Sequence, residues 1–196
     1  RYLVACADAK IPALLVLNKT DLLKENDPIL DLVKEYQDLG YEIMLTQSMD
    51  NVSKLAERLA GETVAFVGQS GVGKSSIINT IVPDATQKTN IISENSALGQ
   101  HTTTSTRLIG FGDGAALIDS PGIREFGLWH LNADKVQEGF PEIDKLLGYC
   151  QFRNCTHKHE KQCALRLAVQ NGEILPRRLH SFLRLIDEIA EAQQKN

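Results

Sequence analysis

The chain has 196 residues, of which 42% are hydrophobic and 23% are charged. This composition is typical of one folded globular domain with a small appendage and is too apolar for a disordered chain. Lysine and arginine total 21 against 25 aspartate and glutamate residues, a net charge of −4, which excludes a uniformly basic protein that coats nucleic acid but allows a local basic face. No apolar run approaches the roughly 18 residues of a transmembrane helix, so we expect no membrane partner.

Apolar runs alternate with helical patterns through the first two thirds of the chain. They predict strands at 13–17, 41–45, 63–67, 107–111 and 115–118, and helices at 28–39, 51–59 and 74–81. Strands that alternate with helices indicate an α/β fold, with a parallel-rich sheet flanked by helices. The polar stretch 84–105 has little periodicity and is predicted to be a functional loop.

The pattern changes after residue 128 to helical segments around a Cys/His cluster, including a predicted helix at 179–192. We therefore predict two domains, 1–128 and a small, mainly helical 129–196. Residues 1–7 resemble the end of an amphipathic helix, without an initiator Met or a signal-peptide layout. From this we expect a truncated chain whose first domain lacks its beginning.

A glycine-rich motif follows the third predicted strand. Residues 68–75 read GQSGVGKS, which matches G-x-x-x-x-G-K-S directly before a predicted helix, the context that this phosphate-binding loop requires. Its backbone N–H groups and the positive end of the helix dipole favour phosphate. Lys74 is expected to reach the β- and γ-phosphates, and the Ser75 hydroxyl to ligate Mg²⁺. The candidate nucleotide-binding residues of the loop are Gly68, Gln69, Ser70, Gly71, Val72, Gly73, Lys74, Ser75 and Ser76.

The tetrapeptide Asn18-Lys19-Thr20-Asp21 lies where the first predicted strand ends. The Asp21 carboxylate can accept two hydrogen bonds from guanine that adenine does not offer in that arrangement. Asn18 is expected to brace neighbouring loops, and the Lys19 stem to lie along the base. Asn and Asp favour turns in any case, so the tetrapeptide alone is weak evidence. The phosphate loop in the same chain favours its interpretation as a guanine selector.

A third motif, DSPG at 119–122, ends the last predicted strand. Asp119 is expected to hold Mg²⁺, usually through water, and the Gly122 N–H to contact the γ-phosphate. For Ser48, after the second predicted strand, a contact with the base and a plain turn are both open interpretations. The guanine selector precedes the phosphate loop, the reverse of the usual GTPase order, so the sequence is circularly permuted. Loops at the carboxyl ends of strands can assemble one site in either order.

These motifs and their order resemble the circularly permuted GTPases. The sequences GQHTTT at 99–104 and DSPGIREFG at 119–127, with the Cys/His cluster, resemble the RsgA (YjeQ) family of bacterial small-ribosomal-subunit biogenesis GTPases, over essentially the whole chain. The resemblance implies a cytoplasmic, Mg²⁺-dependent GTPase, expected to be a monomer. Its partners would be GTP or GDP, the small (30S) ribosomal subunit and 16S rRNA, bound late in subunit maturation and released after hydrolysis.

The resemblance also implies an upstream OB-fold domain that this sequence does not contain. It makes residues 90–106 switch I, where Thr103 is the favoured Mg²⁺ ligand among Thr102–Thr104.

The residue that would orient the attacking water is not in its usual place. Many GTPases have a Gln directly after the glycine of D-x-x-G, but this chain has Ile123 there. Because isoleucine cannot hydrogen-bond water, intrinsic hydrolysis should be slow, or the water must be oriented from elsewhere. His101 is the candidate catalytic residue, and the resemblance points to it as well; the plainer interpretation is a solvated loop histidine.

Three thiols and one imidazole lie within fourteen positions near the C-terminus: Cys150, Cys155, His157 and Cys163. This donor set suits a closed, structural Zn²⁺ site. His159 competes for the fourth place, and the spacing in the resembled family favours His157. A disulfide is disfavoured because three cysteines leave one unpaired, and because the compartment is expected to be reducing. Cys6 stands apart and is expected to be a small buried hydrophobe.

Basic residues surround this cluster, opposed in that span only by Glu160 and Glu173: Arg153, Lys158, Lys161, Arg166, Arg177 and Arg178. The face they form is either plain solvated surface or an RNA-contacting surface. Tyr149 and Phe152 either stack on bases or belong to the core. The resemblance favours RNA contact.

Two other functions are compatible with these residues. One is a non-catalytic guanine-nucleotide sensor, in which Ile123 disables hydrolysis. The other is a zinc-dependent RNA-binding module, in which nucleotide only tunes affinity. Multiple-turnover GTP hydrolysis with and without small ribosomal subunits distinguishes them.

Overall fold

The computed structural model describes residues 1–47, 51–82, 107–112, 114–119 and 131–194. Its elements, in chain order, are α1 (Tyr2–Asp8), β1 (Leu14–Leu17), a 3₁₀ turn (Thr20–Leu22), α2 (Pro28–Asp38), β2 (Glu42–Leu45), α3 (Val52–Arg58), β3 (Thr63–Val64), α4 (Lys74–Ile81), β4 (Arg107–Phe111), β5 (Ala115–Asp119), α5 (Ala133–Glu138), α6 (Pro141–Asp144), α7 (Ala164–Gln170) and α8 (Pro176–Gln194). The chain divides into two compact units, residues 14–125 and residues 1–13 with 126–196.

The first unit, residues 14–125, contains the predicted strands and helices in their predicted order. In the described residues β1 pairs in parallel with β2, and β5 lies between a parallel β3 and an antiparallel β4. Apolar residues from α3 and α4 pack with the inner faces of these strands, and the fully buried Leu55 is central to this core. The carboxyl end of β1 leads directly into the guanine-selector motif, and three residues separate the end of β3 from the phosphate-loop motif.

Local sequence signals set the ends of several elements. Asp27 caps α2, because its carboxylate accepts a hydrogen bond of 3.0 Å from the Ile29 N–H. Gly40 ends the same segment with a φ of +90°, which a residue with a side chain rarely adopts. The predicted helix at 74–81 is confirmed residue for residue. β3 is shorter than predicted, since its pairing with β5 ends at Val64.

The second unit, residues 1–13 with 126–196, is helical in its described part. Its core is a cluster of apolar side chains from α1 and α5–α8, with Val136, Ile143 and Leu165 fully buried. The sequence pattern predicts that residues 1–13 belong to the first domain, but in the structure they pack with this unit. The physical reason is that Val4 of α1 is only 1% exposed and belongs to this cluster. The boundary predicted after residue 128 falls outside the described residues and stays a prediction.

None of the helices described for this chain combines the length and the apolar character needed to cross a bilayer.

Candidate guanine-nucleotide and metal sites

The phosphate-loop motif forms a tight turn that depends on glycine. Gly68, Gly71 and Gly73 have φ values of +147°, +82° and +99°, a region that side chains disfavour. α4 begins directly after Gly73, so the first N–H groups of the helix face the turn. The Lys74 ammonium lies within the loop and donates to the Gly68 and Gln69 carbonyls at 2.7 and 2.6 Å. The loop thus concentrates donors and positive charge, the arrangement that binds phosphate.

The guanine-selector motif lies against the phosphate loop, although more than fifty residues separate them in sequence. The Asn18 Nδ2 amide donates to the Val72 carbonyl at 3.1 Å, and the Lys19 ammonium donates to the Gly71 carbonyl at 2.8 Å. The approach is so close that a Cβ at Gly73 would lie 2.2 Å from the Asn18 Nδ2 atom. Gly73 is therefore required both for its φ and for the space it leaves.

Asp21 and Ser75, the predicted base and Mg²⁺ ligands, have exposed side chains. Asp21 lies in the 3₁₀ turn directly after β1. Ser75 lies in the first turn of α4 and its neighbour Ser76 is exposed as well. The motifs thus present their predicted ligand atoms to solvent on loops that hydrogen bonds hold together.

Thr46 is a member of this site that the sequence analysis did not identify. It is fully buried, and its hydroxyl donates to the Asn18 Oδ1 atom at 2.9 Å. Its carbonyl accepts from both the N–H and the hydroxyl of Thr20, each at 3.1 Å. The available signal was a polar residue directly after the apolar strand β2, a pattern too common in turns to single it out.

Four predicted site residues lie outside the described residues: Ser48, His101, Thr103 and Gly122. Ile123 also lies outside them. The backbone of Asp119 ends β5, but its side chain lies outside the description.

The four predicted metal ligands come together in the second unit. The ligand atoms of Cys150, Cys155, His157 and Cys163 all lie within 4.8 Å of one another. The Cys150 and Cys163 sulfurs are 3.9 Å apart, and the His157 Nδ1 atom lies 3.5 and 3.4 Å from them. A tetrahedral ion with usual Zn–S and Zn–N lengths would give about 3.8 Å between sulfurs and about 3.5 Å from sulfur to nitrogen. The cluster therefore fits one tetrahedral metal ion.

The surroundings of the cluster favour neutral ligands unless a cation is bound. Desolvation, with the neighbouring thiols, raises the pKa of Cys155 to about 12, and desolvation lowers the pKa of His157. A metal ion stabilises thiolates by its own charge. The site thus has the donor chemistry of a metal centre rather than of a reactive thiol.

Glu160 fixes the loop that carries His157. Its carboxylate accepts hydrogen bonds from the Thr156 N–H at 2.7 Å, from the Thr156 hydroxyl at 2.6 Å and from the His159 N–H at 3.1 Å. The hydrogen bonds from Thr156 hold the pKa of this carboxyl well below its usual range. They also support the left-handed backbone of His157, which has a φ of +62°. The Glu160 carboxylate therefore points into the loop.

The basic face predicted around the cluster is smaller in the structure. Arg178 does not belong to it: its side chain is 5% exposed and binds the Glu142 carboxylate at 2.6 Å, over the ring of Phe140. Lys158 pairs with Asp187 at 2.7 Å. The remaining exposed basic residues of this segment are Arg153, Lys161, Arg166 and Arg177.

Tyr149 and Phe152, for which the sequence left two interpretations, are surface residues. They are 77% and 51% exposed and lie close in sequence to the predicted ligand Cys150. Neither belongs to the core of the second unit.

The profile of the RsgA GTPase family matches residues 1–129. The chain belongs to the RsgA GTPase family. A relative from Haemophilus influenzae strain PittGG, called small ribosomal subunit biogenesis GTPase RsgA, is 50% identical over 199 aligned residues, which cover 100% of this chain and 58% of the relative. A relative of the same name from Alcanivorax borkumensis is 48% identical, covering 97% of this chain and 55% of the relative. The chain therefore spans a little over half the length of these RsgA relatives.

Two solved structures resemble the chain over nearly its whole length. YloQ, described as a circularly permuted GTPase, superposes with a TM-score of 0.73 at 28% identity, covering 97% of this chain and 61% of that one. YjeQ from Thermotoga maritima superposes with a TM-score of 0.70 at 30% identity, covering 96% and 64%. This RsgA family member thus has the circularly permuted GTPase fold, with a helical C-terminal region whose Cys/His cluster can hold a metal.

Proposed function

We propose that this chain binds GTP and GDP and hydrolyses GTP to GDP and phosphate, as part of a factor for small ribosomal subunit biogenesis. The observation that carries the proposal is the pair of hydrogen bonds from Asn18 and Lys19 to the phosphate loop. A base-recognition motif and a phosphate-binding motif, far apart in sequence and in permuted order, lie together as one nucleotide site requires. The assignment to subunit biogenesis rests on the RsgA relatives, whose name states both this process and GTPase activity.

In this proposal the phosphate loop, residues 68–76, binds the phosphates, with Lys74 on the β- and γ-phosphates. The Asp21 carboxylate accepts the two hydrogen bonds that guanine offers. The bound base shields this carboxylate from water, so a base that lacks these donors would leave it unpaired. Gly122 contacts the γ-phosphate and Ser48 contacts the base. Mg²⁺ is held by Ser75, Thr103 and Asp119.

Hydrolysis breaks the bond between the γ-phosphorus and the bridging oxygen to the β-phosphate as water attacks in line. His101 is proposed to orient that water, since Ile123 cannot. Phosphoryl transfer depends mainly on positioning and electrostatic stabilisation, so orientation is a sufficient role for a neutral imidazole.

The test is multiple-turnover GTP hydrolysis with and without small ribosomal subunits. Subunits should stimulate turnover, Lys74→Ala should abolish it, and the exposed Lys54→Ala on α3 is the matched control. His101→Ala should keep GTP affinity and lose most of the stimulated turnover. Absence of turnover under every condition would instead support a nucleotide sensor, and unchanged turnover in His101→Ala would remove that residue from the mechanism.

We further propose that Cys150, Cys155, His157 and Cys163 hold one Zn²⁺ ion, which orders the second unit and has no open position for chemistry. The donor set of three sulfurs and one nitrogen supports zinc, because soft thiolates favour it over Mg²⁺.

We propose that the surface next to this cluster contacts 16S rRNA of the 30S subunit. Two exposed aromatic rings lie close to Arg153 in sequence, and the exposed Lys161 follows eight residues later. The Glu160 carboxylate is directed into its own loop. Exposed rings can stack on unpaired bases and basic groups pair with phosphates. The proposal also implies that the factor acts in the cytoplasm and as a monomer.

The RNA contact is tested by equilibrium binding to small subunits over a salt series. Tyr149→Ser and Phe152→Ser should weaken binding, whereas Leu167→Ser, which removes an aliphatic side chain that is 47% exposed, should not. Lys161→Gln should reduce the slope of log K against log salt by about 0.7–0.9, the loss of one phosphate contact. Equal effects in all these variants would show that the surface does not contact RNA.

A further inference from the structure

We propose that the Cys/His cluster is a peroxide-sensitive switch, in which Cys150 and Cys163 form a reversible disulfide and release the metal ion. The inference rests on the proposed Zn²⁺ site and on the proposed contact with RNA. It adds a regulatory step to them, because the loop between the two cysteines, residues 151–162, carries part of the proposed RNA-contacting surface.

The Cys150 and Cys163 sulfurs are already in contact. They lie 3.9 Å apart, and a disulfide needs them to approach to about 2.05 Å. Cys163 is 1% exposed, lies directly before α7 and belongs to the apolar core of the second unit, and Cys150 packs against that core. Because packing holds both cysteines as well as the ion does, the pair stays together when the ion leaves.

Cys155 is expected to remain a thiol, although its sulfur lies within 4.8 Å of the other ligand atoms. The adjacent residue, Thr156, is fixed by the Glu160 carboxylate through its N–H at 2.7 Å and its hydroxyl at 2.6 Å. A disulfide to Cys155 would have to shift this hydrogen-bonded segment. Cys150 and Cys163 lie outside it, at the two ends of the loop.

The loop between these ends has an unfavourable backbone conformation. His157 and Gln162 have φ values of +62° and +61°, which residues with side chains rarely adopt. His157 is one of the four proposed ligands, so the ion helps to hold its left-handed backbone. Loss of the ion removes that support and favours a rearranged loop. The rearrangement would displace Phe152, Arg153 and Lys161, which belong to the proposed RNA-contacting surface.

The chemistry needs one hydroperoxide for each disulfide. Bound Zn²⁺ keeps cysteines as thiolates, the form that peroxides oxidise. The partly exposed Cys150 sulfur attacks one oxygen of hydrogen peroxide. The O–O bond breaks, a sulfenic acid forms, and the leaving hydroxide takes a proton to become water.

The Cys163 thiolate then attacks the sulfenic sulfur of Cys150. The S–O bond breaks, the disulfide forms, and a second hydroxide takes a proton to become water. Two sulfurs are thus oxidised, two peroxide oxygens are reduced and two protons are consumed. The site loses two of its four ligands, which releases the ion.

A reducing compartment reverses the switch. A dithiol exchanges with the Cys150–Cys163 disulfide, is oxidised in its place and returns both thiols, which then bind zinc again. Disulfides in such compartments are usually transient and redox-sensing. The device therefore links the proposed RNA contact to the level of peroxide.

The experiment treats the zinc-loaded chain with hydrogen peroxide and follows released zinc with a metal-sensitive dye. We expect the ion to leave as two thiols disappear, and peptide mass spectrometry to locate a disulfide between Cys150 and Cys163. Dithiothreitol with added zinc should restore the thiols and the bound ion. Oxidation should weaken binding to small ribosomal subunits about tenfold, the effect of losing one stacked ring, and leave GDP affinity unchanged.

Two histidine variants test the pairing. Cys150→His keeps four zinc-binding side chains but removes the disulfide partner of Cys163, and peroxide should release its zinc about tenfold more slowly. Cys155→His, the matched control, keeps the pair and should release zinc at the rate of the parent chain. Cys6→Ser should also behave like the parent chain.

Several results would overturn the inference: zinc that stays bound through peroxide treatment, a disulfide to Cys155 or Cys6, oxidation to sulfinic acid without a disulfide, or unchanged subunit binding after zinc release. If neither histidine variant holds zinc, the disulfide mapped in the parent chain decides. A parent chain that holds no zinc, or that does not bind small subunits before oxidation, would instead refute the proposed function.

Discussion

Arg178 shows how far a single side chain can depart from what its charge suggests. In sequence it extends a basic run, whereas in the structure its guanidinium is buried, binds both Glu142 oxygens at 2.6 and 3.2 Å and donates to the Gly139 carbonyl at 3.2 Å. Phe140 lies beneath it at 4.2 Å and packs edge-on against Phe182. Because both partners are desolvated, the pair should matter more than an exposed ion pair does.

Removing one member of this pair should be costly. Glu142→Gln leaves the Arg178 charge without its anion, and we expect a loss of about 3–5 kcal/mol in the free energy of unfolding. The measurement is unfolding in denaturant, followed by the loss of the helical circular-dichroism signal. Replacing both residues, as Glu142→Leu with Arg178→Met, should recover most of the loss, because no buried charge remains. A double variant no more stable than the single one would contradict this account.

Glu160 is a second single residue with a defined role, because it holds the loop that carries His157. Its carboxylate holds the N–H groups of Thr156 and His159, on either side of the proposed ligand His157. Glu160→Ala should speed transfer of the ion to a competing chelator, with roughly 10–100-fold weaker metal affinity, as for other groups that orient ligands. Glu191→Ala, an exposed residue of the same unit, is the control. Equal rates of zinc release from both variants would show that Glu160 does not support metal binding.

Among the helices, α1 joins distant parts of the sequence. It is the first helix of the chain, but it packs into the core formed by the C-terminal helices. Val4 is buried there, Arg1 binds Glu188, and Asp8 lies 3.7 Å from the Lys135 ammonium. A Cβ at Gly139 would lie 2.7 Å from the Val4 Cα atom. α1 and the end of α5 therefore approach so closely that only glycine fits.

Gly139→Ala should separate these elements. Backbone atoms cannot move aside as a flexible side chain can, so we expect overpacking to cost about 1–3 kcal/mol. The melting temperature of the second unit should fall by about 4–8 °C for each kcal/mol. The control is Gly110→Ala, where an added Cβ meets no atom within 4 Å. An unchanged melting temperature in Gly139→Ala would show that α1 is not packed there in solution.

At the scale of the whole molecule, the two units should depend differently on metal. The three thiols of the cluster belong to the apolar core of the second unit or pack against it, and structural zinc contributes roughly 10–16 kcal/mol in zinc-finger peptides. Chelation should therefore lower the helical signal and abolish binding to small subunits, while GDP affinity stays within about twofold. The measurement combines circular dichroism with GDP titration. Loss of GDP affinity on chelation would contradict this division of roles.

The fourth ligand of the metal can be tested at the same time. His157→Ala should lower bound zinc, measured by elemental analysis, whereas His159→Ala and Cys6→Ser should retain one ion per chain. This expectation follows from the position of the His157 Nδ1 atom within 3.5 Å of two thiols. Retention of zinc in His157→Ala would show that another group is the fourth ligand.

The motifs, their permuted order, the Cys/His cluster and most of the elements can be predicted from the amino-acid sequence. These features depend on local chemistry: glycines that permit positive φ, a capping aspartate, apolar periodicity and closely spaced thiols. Tertiary packing determines which distant groups meet. It placed α1 with the C-terminal helices, buried Arg178 on Glu142 and set Thr46 behind Asn18. Such contacts depend on packing and desolvation between segments far apart in the chain, and no local pattern encodes them.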